Sequence, residues 1–279
     1  MESFFSFLEK RVDDCSSLLC IGLDPHVSDL KEPSADSARE FCLNLVQQTA
    51  RYAAAFKPNA AFFEVFGAEG WIALKEAIDA IQSESNRMGS MIPVILDAKR
   101  GDIASTAEAY AKSAFENLDA DCITLSPYLG KDSIEPFIQK SEKGVFLLCK
   151  TSNPGSGDLQ DLMVTMEDGQ SSMVPLYEHV AKLAQQWNTK NNIGLVVGAT
   201  HIDAMKRVRA AAPDLWFLAP GVGAQGGELE SALKAGLRND GKGMLIPVSR
   251  AIARAEKPGL AAAEMRDEIL QIKSELTKH

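Results

Sequence analysis

The sequence predicts an α/β fold of one particular kind, a single-domain (β/α)8 TIM barrel, on three observations. Short apolar runs alternate with helix-period segments along the whole chain, eight such runs can be counted, and 279 residues is a length that one barrel fills without a linker. A run that is apolar on both faces suits a parallel strand covered by helices, so each run predicts one barrel strand. In order they are "SLLCIGLDP", "AAFKPN", "MIPVILDAK", "CITLSP", "GVFLLCKTS", "IGLVVGAT", "LWFLAPGVG" and "GMLIPVSR". Between them lie helix-like stretches such as "ADSAREFCLNLVQQTARY", "GAEGWIALKEAIDAIQ", "ASTAEAYAKSAFEN", "VPLYEHVAKLAQQW" and "THIDAMKRVRAA". The segment "LAAAEMRDEILQIKSEL" closes the chain as a helix. A doubly wound open sheet is the alternative, but it rarely needs eight regular units. No Pro/Gly/Ser-rich stretch divides the chain, so residues 1–279 read as one domain. Trp71, Trp187 and Trp216 are expected between helices and barrel.

One connection breaks the rhythm. "TSNPGSGDLQDLMVTMEDGQSS", residues 151–172, is too long and too polar for a barrel turn. Loops of that length in compact domains are often active-site lids, and a floppy insertion is the plainer reading.

The bulk composition narrows the function classes. Hydrophobic residues make up 46% and charged residues 24%, which is globular rather than disordered. A formal charge of −9 argues against a nucleic-acid partner, which needs clustered Lys and Arg, while leaving room for a small anion held by a few local cations. Five cysteines without a C-x-x-C pair, in apolar settings, suit reduced thiols in a cytosolic protein. No apolar run approaches the roughly 20 residues of a membrane span. The opening "MESFFSFLEKRVDD" is amphipathic and acidic, unlike a signal peptide, so no membrane association and a cytoplasmic location are expected. Scattered histidines without ligand spacing, irregular aspartates at 158, 161 and 168, and the lack of G-x-S-x-G give no support to a zinc site, an EF-hand or a serine triad. No metal is expected.

In a barrel the chemistry sits at the C-terminal ends of the strands. Those ends carry Asp24, Lys57, Asp97 with Lys99, Ser126, Ser152, Thr200, the "PGVGAQGG" loop that opens at Pro220, and Ser249 with Arg250. Asp97 and Lys99 lie two apart on a strand, so alternation sends both side chains to one face, the barrel interior. Lys57 ends the neighbouring strand and Asp24 the first, while Asp102 follows Gly101 beyond the strand. Each has a bland reading: a helix N-cap for Asp102, a strand-end ion pair for Lys57, a turn residue before proline for Asp24. Together they are harder to dismiss, because burying alternating charges costs several kcal/mol per ion unless each is compensated. The glycine-rich loop and "IPVSRAI" follow consecutive strands, seven and eight, where this fold often binds phosphate, and Arg250 offers a bidentate contact.

The motifs "GLDP", "FKPNAAFFE" and "DAKRGDIASTA", arriving in barrel order, resemble the orotidine 5′-phosphate decarboxylase family in its bacterial type 2 branch. The likeness runs from "CIGLDP" to "PVSRAI" and centres on D-x-K-x-x-D at Asp97, Lys99 and Asp102. It implies conversion of orotidine 5′-phosphate to UMP and CO2 in de novo pyrimidine biosynthesis, with no metal and no cofactor. Lys99 would then protonate C6 of the pyrimidine, Asp97 would lie beside the substrate carboxylate, and Lys57 would bond Asp97 and the ribose. Asp24 would take a ribose hydroxyl, and Ser152 would meet the pyrimidine amide edge. Gln225 and Arg250 would hold the phosphate, with Pro220 in the same substrate-binding set. Ser249, standing where many relatives have Gly, would contribute its backbone N–H. Asp102, Ile103 and Thr106 would reach into the neighbouring subunit's site, which implies a homodimer. The segment after Ser152 is longer than in the smaller members of the family.

Three rivals share features of this pattern. Metal-using keto-sugar-phosphate decarboxylases carry the same D-x-K-x-x-D but place a glutamate ligand on the second strand, where this chain has Lys57, which would repel magnesium. A Schiff-base aldolase would need a lysine deprotonated by an apolar pocket, whereas Lys99 has carboxylates two and three residues away. A phosphate-binding barrel without chemistry would have no reason to keep so costly a charge set.

Overall fold

The computed structural model describes residues 2–166, 172–222 and 226–276. Ten strands are formed among them: β1 (Leu19–Leu23), β2 (Ala55–Pro58), β3 (Ile95–Arg100), β4 (Cys122–Leu125), β5 (Gly144–Lys150), β6 (Met163–Thr165), β7 (Met173–Pro175), β8 (Ile193–Val197), β9 (Phe217–Leu218) and β10 (Met244–Val248). Eight of them make one sheet in the order β2-β1-β10-β9-β8-β5-β4-β3, every neighbouring pair parallel. The two ends of that order meet. Parallel bridges join Phe56 to Val94 and Asn59 to Asp97, and the Phe56 N–H donates to the Pro93 carbonyl at 3.0 Å. The sheet is therefore a barrel, and each of the eight apolar runs supplies one of its strands.

Strands β1, β2, β4 and β8 are buried at every position, as parallel strands under a helical layer must be. The connecting helices cover the outside, among them Ala35–Thr49, Gly67–Met88, Leu176–Trp187 and Pro258–Leu276. Trp216 is buried and stacks on Phe5 with ring centres 6.2 Å apart, and Trp71 and Trp187 pack partly buried against the core. All five cysteines are unpaired and buried, and burial pushes the Cys20 thiol up to about 12, where it stays neutral. Among the described residues no helix is long and apolar enough to cross a membrane.

The opening segment does more than its amphipathic pattern announced. Helix Phe4–Cys15, capped by the Ser3 hydroxyl accepting from the Ser6 N–H, lies across the N-terminal end of the barrel. Phe4, Phe5 and Leu8 are fully buried there. A Cβ at Gly144, the first residue of β5, would fall 2.3 Å from the Phe4 ring, and one at Gly194 on β8 would fall 2.6 Å from Phe146 and 2.8 Å from Phe5. Glycine at both strands is what lets the rings in. The polar side of the helix is tied down as well. Arg11 donates to the carbonyls of Ala50 and Ala53, Glu9 accepts from Trp216 and Arg238, and Asp13 pairs with Lys242.

The long connection after β5 is also built differently from a plain loop. It contains a short helix, Gly157–Gln160, and an antiparallel hairpin of β6 and β7. Residues 167–171 lie outside the described residues.

Candidate active site

The site forms where β1, β2, β3 and β4 end together, because barrel closure sets β2 against β3. The bridge between Asn59 and Asp97 fixes the register, bringing Lys57 and Asp97 into contact. Asp97 is the hub. Its Oδ2 accepts from the Lys57 ammonium at 2.8 Å, and its Oδ1 accepts from Lys99 Nζ at 2.6 Å and from the Thr124 hydroxyl at 2.9 Å. Asp97 and Lys57 are each only 8% exposed, so these charges sit at the barrel's interior face rather than on a solvated exit. The Lys99 side chain is half exposed, with its ammonium held on Asp97 at the C-terminal end of the barrel.

The charges sustain one another. Burial alone would push the Asp97 carboxyl up, but Lys57 and Lys99 outweigh it and hold the group well below the usual carboxylate range. Burial would likewise pull Lys57 down, and Asp97 with Asp24 outweighs that and holds it above the usual ammonium range. Asp24 stands just beyond β1, and its Oδ1 is buried with no partner among the described residues, a polar atom left free for a ligand. A Cβ at Gly22 would come within 2.8 Å of Ser249 Cβ and 3.2 Å of Asp24 Oδ2, so this glycine lets the ends of β1 and β10 approach. Ser249 and Asp24 thereby share one side of the mouth.

Lys99 reaches Asp97 by a route that alternation did not foretell. The pairing of β3 with β4 slips between Leu96 and Arg100, and Lys99 takes a left-handed backbone conformation at φ +47°. The two side chains meet through this irregular turn, not through a regular two-residue repeat. Arg100 then pairs with Glu64 at 2.5 Å and lies over the Tyr110 ring, anchoring the exit.

Asp102 stands apart from the group. Its Oδ1 accepts from the Ile103 N–H at 2.8 Å, whereas Lys99 is bonded to Asp97. The residue capping helix Ala104–Lys112 is Ile103, so Asp102 is not that helix's N-cap. Ile103 is 51% exposed and Thr106 is exposed beside it, on a surface facing away from their own barrel's core.

The remaining candidates line the opposite rim. Ser152 follows β5, and its hydroxyl would lie 3.7 Å from a Cβ at Gly221, so the ends of β5 and β9 come together. The Pro220 carbonyl accepts from the Ala199 N–H at 2.8 Å, tying the glycine-rich loop to the end of β8. Arg250 is exposed at the start of helix Arg250–Ala253, with no ion-pair partner among the described residues. Gln225 lies outside the described residues.

Two buried polar residues escaped the sequence reading. Thr124 is one, a hydroxyl inside an apolar strand beside the charged one. The other is Lys150, 3% exposed at the end of β5, which pairs with Asp161 at 2.7 Å and donates to Ser156 at 3.3 Å. The argument that singled out Lys57, a cation closing an apolar strand, applies equally to "FLLCK".

Comparison with known proteins bears directly on this arrangement. The sequence profile of the orotidine 5′-phosphate decarboxylase / HUMPS family matches residues 17–265. An orotidine 5′-phosphate decarboxylase of Roseiflexus castenholzii is 46% identical over 275 residues, covering 97% of this chain and 96% of that protein. Among solved structures, Leishmania donovani OMP decarboxylase is 53% identical at a TM-score of 0.85, covering 98% of this chain and 99% of that one. The UMP synthase of the same organism is 55% identical at a TM-score of 0.86, covering 98% of this chain and 57% of its own length. With the profile spanning the barrel and relatives about half identical over nearly its full length, the chain belongs to the orotidine 5′-phosphate decarboxylase / HUMPS family.

Proposed function

We propose that this chain decarboxylates orotidine 5′-phosphate to UMP and CO2 in de novo pyrimidine biosynthesis, by electrostatics alone and without metal or cofactor. The observation that carries the reading is the ionised Asp97 carboxylate held between two ammonium groups at the barrel mouth. Losing CO2 from C6 leaves a carbanion in the ring plane with no adjacent π system to spread its charge. Stabilisation must come from fixed charges already aimed at that carbon. Lys99, half exposed over the mouth and tethered by Asp97, is the cation that meets the carbanion and hands it a proton.

Asp97 faces the departing carboxylate. Two like charges about 4 Å apart repel by roughly 4 kcal/mol at an effective dielectric near 20, and that repulsion vanishes as neutral CO2 leaves. Lys57 keeps Asp97 ionised and reaches the ribose, while Asp24, with its unpartnered buried oxygen, takes a ribose hydroxyl. Both Asp97 oxygens are engaged by ammonium groups, one of them Lys57 on the second strand, a donor set that disfavours a divalent ion. Ser152 meets the pyrimidine amide edge. Arg250, Gln225, Pro220 and the Ser249 N–H form the phosphate end, and binding energy gathered there closes the 151–172 segment over the mouth as a lid. Asp102, Ile103 and Thr106 complete the site of a second copy in a cytoplasmic homodimer.

The test is loss of orotidine 5′-phosphate absorbance by the purified protein with EDTA present. Turnover should be unaffected by EDTA, and Lys99→Ala should abolish it while UMP still binds. A folded protein inactive on this substrate sinks the reading, as does borohydride trapping of a covalent adduct on Lys57 or Lys99.

A further inference from the structure

We propose that Thr124 is a positioning residue for the reaction: one buried hydroxyl holds the Asp97 carboxylate and, with it, the strained turn that aims Lys99. This deepens the decarboxylase reading and rests on it. Thr124 lies on β4, 1% exposed, directly beside the irregular end of β3. Its Oγ1 donates to Asp97 Oδ1 at 2.9 Å and accepts from the backbone N–H groups of Ala98 at 3.1 Å and Lys99 at 3.0 Å. A hydroxyl has one proton and two lone pairs, so each is used once.

The register explains why a side chain is needed there. Leu96 pairs with Ile123 and Arg100 with Leu125, so Thr124 alone stands opposite Asp97, Ala98 and Lys99. The amides of Ala98 and Lys99 have no β4 carbonyl in register, and the Thr124 hydroxyl takes both. Without it, two N–H groups beside a buried carboxylate would lose their acceptor. The left-handed backbone at Lys99, φ +47°, is sparsely populated for a residue with a Cβ and persists only where its surroundings over-determine it. Thr124 grips the turn at its start, and the Ser126 N–H, donating to the Arg100 carbonyl at 2.8 Å, grips it at its end.

The same hydroxyl sets the carboxylate plane. Asp97 faces Lys57 on β2, Lys99 on its own strand and Cys20 on β1, while Asp24, just beyond β1, acts on Lys57. The bond from Thr124 comes from the β4 side, opposite Lys57, and fixes which oxygen each ammonium receives. Losing it frees the backbone and the side-chain anchor of Lys99 together. A proton donor displaced by about 1 Å loses on the order of a hundredfold in rate.

The experiment compares Thr124→Val, which keeps the shape and removes the hydroxyl, with Thr124→Ser, which keeps the hydroxyl. Rates are expressed per UMP-binding site counted by calorimetry, well below each variant's melting temperature. Thr124→Val should lower kcat about 30- to 100-fold with KM and UMP affinity within about threefold of wild type, because ribose and phosphate contacts come from other strands. Thr124→Ser should restore kcat to within about threefold. A purely structural role would lower the melting temperature and the number of binding sites while leaving kcat per site unchanged, and that result overturns the proposal. Should Thr124→Val fail to fold, Thr124→Cys, a weaker donor of similar size, carries the same comparison: reduced kcat per site supports the role and wild-type kcat overturns it. If the wild-type protein itself does not turn over orotidine 5′-phosphate, the decarboxylase reading falls and takes the positioning role with it. Active wild type beside fully active Thr124→Val removes the positioning role alone.

Discussion

Asp97 gathers its bonds from three strands, and its protonation behaviour follows from them. Lys57 and Lys99 keep the carboxyl below its ordinary range, so the folded protein binds that proton less readily than the unfolded chain does. The resulting stabilisation is present in full above the unfolded carboxylate value of about 3.9 and fades as pH falls through the folded value. Asp97→Asn should therefore melt lower than wild type by an amount that is steady from about pH 5 to 8 and narrows below about pH 4. Removing one partner of a buried pair costs about 3 kcal/mol, which sets the size of the gap at neutral pH. A gap that stays constant to about pH 2 contradicts the assignment. At this scale the sequence was readable where charges clustered at the ends of neighbouring apolar runs, since such charges need compensating partners: Asp24, Lys57, Asp97 and Lys99 declared themselves together, while Lys150, alone at the end of its run, did not. Thr124 did not, because a threonine in a β-strand is ordinary and only its three bonds show its use.

Elements were legible where both faces of a strand are buried, and poorly legible where neither is. The eight barrel strands stood out as continuous apolar runs, whereas β6 has exposed positions at both ends of its three residues and left no readable pattern. The slip between β3 and β4 was hidden for a related reason. A periodicity argument assumes the regular repeat that the slip interrupts. In the long connection after β5, the ion pair from buried Lys150 to half-exposed Asp161 fastens the helix Gly157–Gln160 to the barrel rim. Asp161→Asn should raise the rate of proteolytic nicking within residues 153–166 about tenfold, equivalent to roughly 1.4 kcal/mol of local opening. The global melting temperature should move by no more than a few degrees. Equal nicking of both proteins would show that the pair holds nothing in place. The cleavage sites are read by mass spectrometry of the fragments.

For the whole molecule, the proposed two-chain site makes a numerical statement. Ile103 and Thr106 are exposed, and Asp102 partly so, beside a motif whose Asp97 is buried. Mixing Asp102→Ala with Lys99→Ala subunits in equal amounts should restore roughly a quarter of wild-type activity, because half of the random dimers are mixed and each has one intact site. No recovery after subunit exchange is demonstrated would place both halves of the site in one chain. The barrel as a whole was legible from the count and spacing of its strands, but what closes its lower end was not, since that depends on contacts between residues more than a hundred positions apart. Helix Phe4–Cys15 rests on Gly144, Gly194, Trp216, Arg238 and Lys242. Helix Phe4–Cys15 therefore cannot complete its docking until almost the last strand of the barrel has been made. At elongation rates of roughly 5–20 residues per second that wait lasts on the order of 10–45 s. Over that interval the apolar side chains Phe4, Phe5 and Leu8 lack part of the floor they pack on in the folded barrel, and the nascent chain's need for a chaperone is greatest before the last strands are made.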